Sequence, residues 1–355
     1  MLNKSLEEFD VPVIGSRFEI KDLELLGNTI DQELITRSDL QLWVLVNYVV
    51  VCTGLGLLSL VTNIINLFVF AKQGLNNSIN ISLFCIALSD LIKVVSIEWM
   101  AVCWNPYVHK LGAPVIFTDL LYLTAGWPTG CAHNIAIFIT AYITLERYLC
   151  IVTPLKIKDI ITPRRTVVVI ICIKCMCISY LVPEYAYVYY DWNFYPALNR
   201  TMLGMAFRQE ARDLKGLTFL IQAILIVFGL ISVGLFSFLL ISELKKQSTW
   251  RKLHTNCEQV KKKRISSRDR KSSVLIAVIA VVMVIVDVPL VTISMVQTFV
   301  QDFSAYGKQV NLFYVVWSFE FIVGVAQPGV NIFIYYKMST KYRETLRMLF
   351  SWDNE

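Results

Sequence analysis

Charged residues are scarce in this sequence of 355 residues, where they make up 17% of the chain against 56% for hydrophobic residues. The mean hydropathy is +0.57. A soluble domain of ordinary composition does not carry so large an apolar excess, because one core cannot hide it from water. The shortage of charge therefore excludes an ordinary soluble protein and indicates that a lipid bilayer surrounds much of the chain.

The sequence also lacks the residue patterns of several kinds of chemical site. It shows no Cys or His spacing typical of a metal centre, no paired nucleophile and base, and no glycine-rich loop for a phosphate. We therefore expect neither an enzyme nor a metal centre. The basic stretch 261–271 has the charge of a nucleic-acid-binding segment, but it lies between two apolar runs. That position favours anionic lipid and a cytoplasmic partner, and we expect no nucleic acid.

Cysteine is present but poorly placed for disulfides. Of the nine cysteines, Cys103 alone approaches the predicted outer surface, Cys257 lies in the inner basic segment, and the others lie within apolar runs. We expect the cysteines in these runs to be small packing residues. No pair remains for a disulfide on the outer side.

Seven apolar runs dominate the rest of the sequence. A bilayer core about 30 Å thick requires about 20 helical residues, and each run is long enough. Because the runs do not alternate as barrel strands do, helices are the structure that satisfies their backbone in lipid. We predict an all-α membrane protein, a seven-transmembrane helical bundle. The runs cover roughly residues 43–71, 79–103, 118–151, 166–187, 216–242, 272–300 and 310–336.

The distribution of lysine and arginine predicts the orientation. With the N-terminus outside, the inner segments hold 21 of the 33 basic residues and the outer segments hold 10. Positive residues are retained on the cytoplasmic side. Residues 1–42 carry nine acidic and four basic groups and lack the apolar core of a signal peptide. We expect an uncleaved extracellular tail over 1–42, a membrane domain over 43–336, and a multi-pass protein of the plasma membrane.

Two further features follow from this topology. Asn3 and Asn199 head the sequons that fall outside, so both are candidate glycosylation sites. In residues 337–355, apolar residues recur at helical spacing and basic residues occupy other positions. We therefore predict a short amphipathic eighth helix on the inner membrane face, followed by a short cytoplasmic tail.

Polar motifs interrupt several of the apolar runs. The third run ends in TLERYLCIVTPLKIK, the second contains LSDL, and the seventh contains GVNIFIYY. Together they resemble the rhodopsin-like family of G-protein-coupled receptors over about residues 45–350, and within it invertebrate, particularly molluscan, peptide-receptor-like or chemosensory-receptor-like members. The residues that carry the resemblance are Asn63, Asp90, Glu146, Arg147, Tyr148, Asn331 and Tyr335.

The resemblance implies a switch at the cytoplasmic end. Glu146 would hold Arg147 in the inactive state, and the arginine would contact a heterotrimeric G protein when the bundle opens. Tyr148 completes this motif, and Tyr335 belongs to the matching motif of the seventh run. Asp269 stands where the family often has an acid that clamps the arginine; a solvated charge run is the alternative.

A carboxylate at mid-membrane needs a partner. Insertion scales put the cost of such a charge at about 2.5–3.5 kcal/mol, so Asp90 is a functional candidate. The resemblance implies a polar pocket that holds water or a sodium ion, although Ala136 stands where the family commonly has a serine. We expect a hydrogen-bonded cluster of Asp90, Asn63 and Asn331, with a sodium ion at Asp90 as the candidate cofactor.

Departures from the family pattern concentrate in the middle and outer parts of the bundle. Pro289 matches the family's kink proline in the sixth run, but Asp287 replaces its tryptophan; in the seventh run Pro328 is the candidate kink. His133 lies 14 residues, or about 21 Å, above the helix-three arginine, at the depth of Asp287. We predict a contact between them; separate satisfaction by backbone or water is the alternative. Tyr122 stands where the family has its disulfide cysteine, which predicts a mobile or differently braced outer loop.

Acidic and aromatic residues near the outer ends of the runs suggest a ligand. Rings beside acids suit a cationic or amidated basic peptide, although Tyr and Trp also form the interfacial belt of membrane proteins. Thr129 stands where amine receptors carry an acid, which disfavours amines. We expect an extracellular, peptide-like or chemosensory ligand. The candidate pocket residues are Thr129, His133, Asp287, Glu98, Glu184, Trp192 and Glu320.

A transporter or a subunit of a ligand-gated channel is the alternative. Lys93, Asp90, Asp287 and Lys174 would then form an ion path. The sequence shows no internal repeat, and seven spans suit two-fold repeats poorly. An intracellular N-terminus, or ion currents without G-protein activation, would favour this alternative.

Overall fold

A computed structural model describes residues 34–154, 157–195, 199–214, 216–253, 267–300, 302–303 and 308–350. Within these ranges seven helices are long and apolar enough to cross a membrane. The prediction of a seven-helix bundle is confirmed. The spanning helices are α1 (Arg37–Val44, Leu45–Cys52 and Thr53–Lys72), α2 (Ser78–Trp104), α3 (Phe117–Leu121, Tyr122–Gly126 and Trp127–Val152), α4 (Pro163–Ser179), α5 (Leu217–Leu253), α6 (Ser267–Phe299) and α7 (Val310–Met338).

Local capping sets two helix boundaries that differ from the apolar runs. α1 begins at Arg37 rather than at 43, because the side chain of Thr36 accepts a hydrogen bond from the backbone N–H of Asp39 at 3.2 Å. α4 begins at Pro163, where a proline fits the first helical turn, and it ends at Ser179 rather than at 187. A separate short helix, Val182–Tyr187, follows it. Apolar runs mark the bilayer, whereas caps and prolines mark the helix ends.

α3 lies at the centre of the bundle. It packs against α2, α4, α5 and α6, while α1 packs against α2 and α7. Its buried residues Ile135, Ile139 and Ile143 recur every four positions and join the largest apolar cluster of the described chain. Both α1 and α3 contain a π-helical segment, Leu45–Cys52 and Tyr122–Gly126, near the end predicted to be outer. π-helical turns are frequently found at functional sites.

The predicted eighth helix is present as α8, Thr340–Phe350. The ring of Tyr342 packs on Phe70 of α1 and Tyr335 of α7, and its hydroxyl donates a hydrogen bond to Asn66 of α1. Tyr342 is 1% exposed. One buried side chain therefore joins α8 to two spanning helices.

The segment between α4 and α5 forms a β-hairpin that the all-α prediction missed. Strands β1 (Val188–Tyr195) and β2 (Arg200–Phe207) pair antiparallel, with Val188 opposite Phe207 and Tyr195 opposite Arg200. β1 is rich in Tyr, Trp and Phe, which favour strands. The turn before β2 contains Asn199 with a φ of 47°, a left-handed conformation that asparagine tolerates.

Candidate functional site

The inner end of α3 carries the predicted switch. Glu146 and Arg147 are 1% and 6% exposed, and Arg147 Nη2 donates a hydrogen bond to Glu146 Oε1. The next inward turn of α3 is covered by α5 and α6, where Ile151, Leu240 and Ala277 form a buried cluster. Arg147 is therefore paired with Glu146 and enclosed by neighbouring helices, as expected when α6 packs closely on α3.

Of two further residues of the predicted switch, the structure describes the side chain of Tyr148 but not that of Asp269. Tyr148 is partly buried and packs on the cluster of Ile151, Leu240 and Ala277. Asp269 belongs to α6, but its side chain lies outside the described residues. The clamp between Asp269 and the arginine of α3 remains a prediction.

The polar core joins two of its three predicted members. Asn331 Nδ2 donates to Asp90 Oδ2 at 3.1 Å, and both side chains are buried. Asn63 instead donates to the backbone carbonyl of Ser59 at 2.9 Å, one turn earlier in its own helix. The predicted three-residue cluster is wrong in this respect, because a local backbone acceptor satisfies the amide of Asn63.

A buried lysine lies beside this core. Lys93 is 4% exposed, and its Nζ donates to Oε1 of Gln327 in α7 at 3.2 Å. The ammonium also interacts electrostatically with Asp90, Asp287 and Glu320. Sequence reasoning gave Lys93 a role only in the alternative ion path. Its spacing of three residues from Asp90, which places both on one helix face, was the available signal.

His133 and Asp287 lie together as predicted. His133 Nε2 is 3.7 Å from Asp287 Oδ1, and the two side chains are 12% and 6% exposed. This distance exceeds a normal hydrogen bond, so the contact is close but weak. It joins the middle part of α3 to the middle part of α6, where the family pattern has a tryptophan on the sixth helix.

A sodium ion does not fit well beside Asp90 in this chain. The ion would share one buried carboxylate with the ammonium of Lys93, and two cations at one site repel each other. The Asn331 amide also directs a donor, not an acceptor, at Asp90. Ala136, which is 1% exposed, offers no side-chain oxygen at the position where the family commonly has a serine.

The other predicted pocket residues separate into two groups. Glu320 is half-buried and belongs to the charges around Lys93, together with His133 and Asp287. The remaining four do not join this group. Glu98 faces Gly56 and Cys52 of α1, Thr129 is half-buried in α3, Trp192 is 56% exposed on β1, and Glu184 is 3% exposed.

Glu184 takes part in a brace between the outer end of α3 and the segment that follows α4. The Tyr122 hydroxyl donates to Glu184 Oε1 at 2.6 Å, and the Tyr185 hydroxyl donates to the Leu123 carbonyl at 2.6 Å. Tyr122 occupies the position where the family has a disulfide cysteine. Hydrogen bonds thus connect the two segments that a disulfide would join.

The hairpin itself is attached to α3 by two more hydrogen bonds. The Tyr190 hydroxyl of β1 donates to the Leu120 carbonyl at 2.6 Å, and the backbone N–H of Met205 in β2 donates to Asp119 Oδ2 at 2.9 Å. Burial raises the pKa of Tyr190 to about 12, which keeps this donor protonated. Sequence reasoning predicted a mobile or differently braced loop; the structure shows a braced hairpin.

The predicted kinks and glycosylation sites have clear positions where they are described. Pro289 lies inside α6 and Pro328 inside α7, and each removes a backbone donor from its helix. Asn199, Arg200 and Thr201 are exposed at the hairpin turn, so this sequon is accessible. Asn3 lies outside the described residues.

Comparison with known proteins gives two results. A segment of 158 residues, 43% of this chain, is 26% identical to the FMRFamide receptor of Drosophila melanogaster. The match covers 28% of that relative, well under two thirds of its length. Residues 50–353 match the family described as serpentine type 7TM GPCR chemoreceptor Srw. This match spans more than half of the chain, and the protein therefore belongs to the serpentine 7TM GPCR chemoreceptor family Srw.

Proposed function

We propose that this protein is a cell-surface receptor that binds an extracellular peptide-like ligand and signals through a heterotrimeric G protein. The closed inner end carries the proposal. Arg147 is paired with Glu146, and the next inward turn of α3 packs against α5 and α6. Outward movement of α6 would expose the arginine to a cytoplasmic partner, as the resemblance to rhodopsin-like receptors implies. The excess of positive charge on the inner segments supports an extracellular N-terminus.

The charges at mid-membrane favour a ligand with a cationic group. Three carboxylates, Asp90, Asp287 and Glu320, interact with the single ammonium of Lys93. A guanidinium or amine that enters from outside would reduce this acidic excess. The exposed ring of Trp192 on the hairpin adds an aromatic contact. The name FMRFamide receptor, carried by one relative, describes a receptor for a peptide amide and supports a peptide of this kind.

A ligand screen in cells with a G-protein readout tests the proposal. Amidated peptides with a basic residue are compared with neutral peptides and small chemosensory molecules. We expect a basic peptide to activate the wild-type protein, and Arg147→Ala to lower the response at least about tenfold at equal surface expression. Arg347→Ala, which removes an exposed arginine of α8, is the control.

The ion-path alternative draws support from the same buried charges around Lys93. Whole-cell recording distinguishes it from the receptor. Ligand-dependent currents that persist when G proteins are inhibited would contradict the receptor proposal. G-protein activation without such currents would exclude the transporter or channel.

A further inference from the structure

Lys93 is an unusual residue in the membrane domain. It is 4% exposed, and of the lysines whose side-chain exposure the structure describes it alone is buried. A charged side chain is costly at this depth, so lysines in spanning helices are rare and have specific partners. Lys174 of α4 provides a contrast, since it is only partly buried and lies outside the carboxylate cluster.

The partners of Lys93 come from three helices. Asp90 lies one turn before it in α2, Asp287 lies in α6, and Glu320 and Gln327 lie in α7. A buried charge that loses its opposite charge is costly, because little water remains to solvate it. The ammonium therefore offsets the negative charge of carboxylates that would otherwise repel one another across the bundle.

Asp90 and two asparagines of the spanning helices carry buried oxygen atoms without hydrogen-bond partners in the described part of the chain. Asp90 Oδ1, Asn331 Oδ1 and Asn63 Oδ1 are buried and have no hydrogen-bond partner among the described residues. Oxygen atoms of carboxylates and amides are the ligands that hard cations prefer. Within the described ranges Asp90 Oδ1 is therefore an acceptor without a hydrogen-bond partner, and the ammonium of Lys93 supplies the positive charge in this part of the bundle.

We propose that Lys93 is a tethered cation, which neutralises Asp90 in place of a diffusible sodium ion and makes the folded state independent of sodium. A diffusible ion stabilises a protein according to its concentration, because its site must be filled by binding. A covalently attached ammonium is present at every salt composition. Removal of the lysine therefore leaves the buried carboxylate of Asp90 without a positive charge beside it. Sodium then becomes a stabilising ligand.

Thermal unfolding of the purified full-length protein in neutral-lipid nanodiscs tests this proposal. Each variant is measured in sodium chloride and in N-methyl-D-glucamine chloride at an ionic strength of about 0.15 M. The variants are Lys93→Gln, Lys93→Arg, the double variant Lys93→Gln with Asp90→Asn, and the control Lys174→Gln. Because neither a ligand nor a G protein is present, failure here and failure of the proposed receptor function are distinguishable.

The expected results differ among the variants. The wild-type protein, Lys174→Gln and Lys93→Arg unfold at the same temperature in both salts. Lys93→Gln unfolds at a lower temperature in N-methyl-D-glucamine, and sodium raises its Tm by roughly 2–4 °C. The double variant loses this response, because no unpaired carboxylate remains at position 90.

Three results would overturn the proposal. The first is a wild-type Tm that rises in sodium as much as that of Lys93→Gln. The second is a Lys93→Gln protein that responds to salt no more than Lys174→Gln. The third concerns folding: if Lys93→Gln fails to fold and Asp90→Asn does not restore it, the lysine has another role.

Discussion

The two ends of the bundle differ in the polar contacts that accompany their apolar packing. At the inner end, α3, α5 and α6 meet through the buried apolar residues Ile151, Leu240 and Ala277, beside an enclosed ion pair. At the outer end, hydrogen bonds donated by three tyrosines and by the backbone N–H of Met205, which Asp119 accepts, join the hairpin and its base to α3, alongside the apolar packing of Val188. Each hydrogen bond contributes only about 0.5–1.5 kcal/mol to the free energy of unfolding. Unlike apolar packing, it also competes with hydrogen bonds to other polar groups. The outer end therefore depends more on polar contacts, which suits the side proposed to meet the ligand.

The largest effect is expected at the inner end. Leu240 is fully buried, and Leu240→Ala would leave a cavity that costs about 2–5 kcal/mol. Loss of this packing should loosen α5 and α6 from α3 and raise ligand-independent G-protein activation. Leu235→Ala, at a residue of the same helix that is 52% exposed, is the control. Equal basal activity in the two variants would show that apolar packing does not hold the inner end closed.

A smaller effect is expected where the outer brace replaces the family's disulfide. Tyr122→Phe removes the donor to Glu184, a carboxylate that is 3% exposed, and should destabilise the outer end by about 1–3 kcal/mol. Hydrogen exchange of the hairpin amides measures the loss. Tyr107→Phe, at a 67% exposed tyrosine, should change nothing. Adding Glu184→Gln to Tyr122→Phe should recover part of the loss; a further decrease would argue against the brace.

Alkaline pH should release the hairpin at Tyr190. Its pKa of about 12 lies above the ordinary value of 10.0, so its neutral form is favoured in the folded protein. The stability it contributes is complete below pH 10 and is lost as the pH rises through about 12. Ultraviolet difference titration of wild type against Tyr190→Phe should show one late-ionising tyrosine. The hydrogen bond to Leu120 should contribute about 0.5–1.5 kcal/mol. Ionisation of this tyrosine near pH 10 would contradict the buried contact.

Between the two ends, the pair of His133 and Asp287 should show a weak coupling. A double-mutant cycle with His133→Asn and Asp287→Asn should give about 0.5 kcal/mol, at the low end of contacting pairs, because the atoms are 3.7 Å apart. Thermal unfolding measures each variant. Strict additivity would mean that the two side chains are satisfied independently.

The smallest effect on stability is expected at the hairpin turn. Asn199→Asp should leave the unfolding temperature unchanged, because the residue is exposed and aspartate also tolerates the left-handed conformation at this position. It should nevertheless abolish a glycosidase-sensitive shift in gel mobility if the hairpin is extracellular. Thr201→Ala, which removes the same sequon by a different residue, is the matched control. A mobility shift that persists in both variants would place the glycan elsewhere.

The sequence predicted the seven helices well and the contacts between distant segments poorly. Apolar runs identify spanning helices because each helix satisfies its own backbone. The hairpin was missed because β1 and β2 are stabilised by pairing with each other, and neither strand is evident from its own sequence alone. The partners of Lys93 were missed in part for the same reason, since Gln327 and Glu320 lie more than two hundred residues further along the chain. Asn63 shows the opposite failure, where a local carbonyl outcompeted a predicted distant partner.

The state of the cysteines has a practical consequence. None of the eight cysteines in the described ranges forms a disulfide, and the outer brace consists of oxygen and nitrogen atoms. A thiol reductant therefore has no covalent link to cleave between α3 and the hairpin. We expect this outer surface to form equally well in a reducing cell-free translation mixture supplied with lipid, without disulfide isomerases or an oxidising compartment.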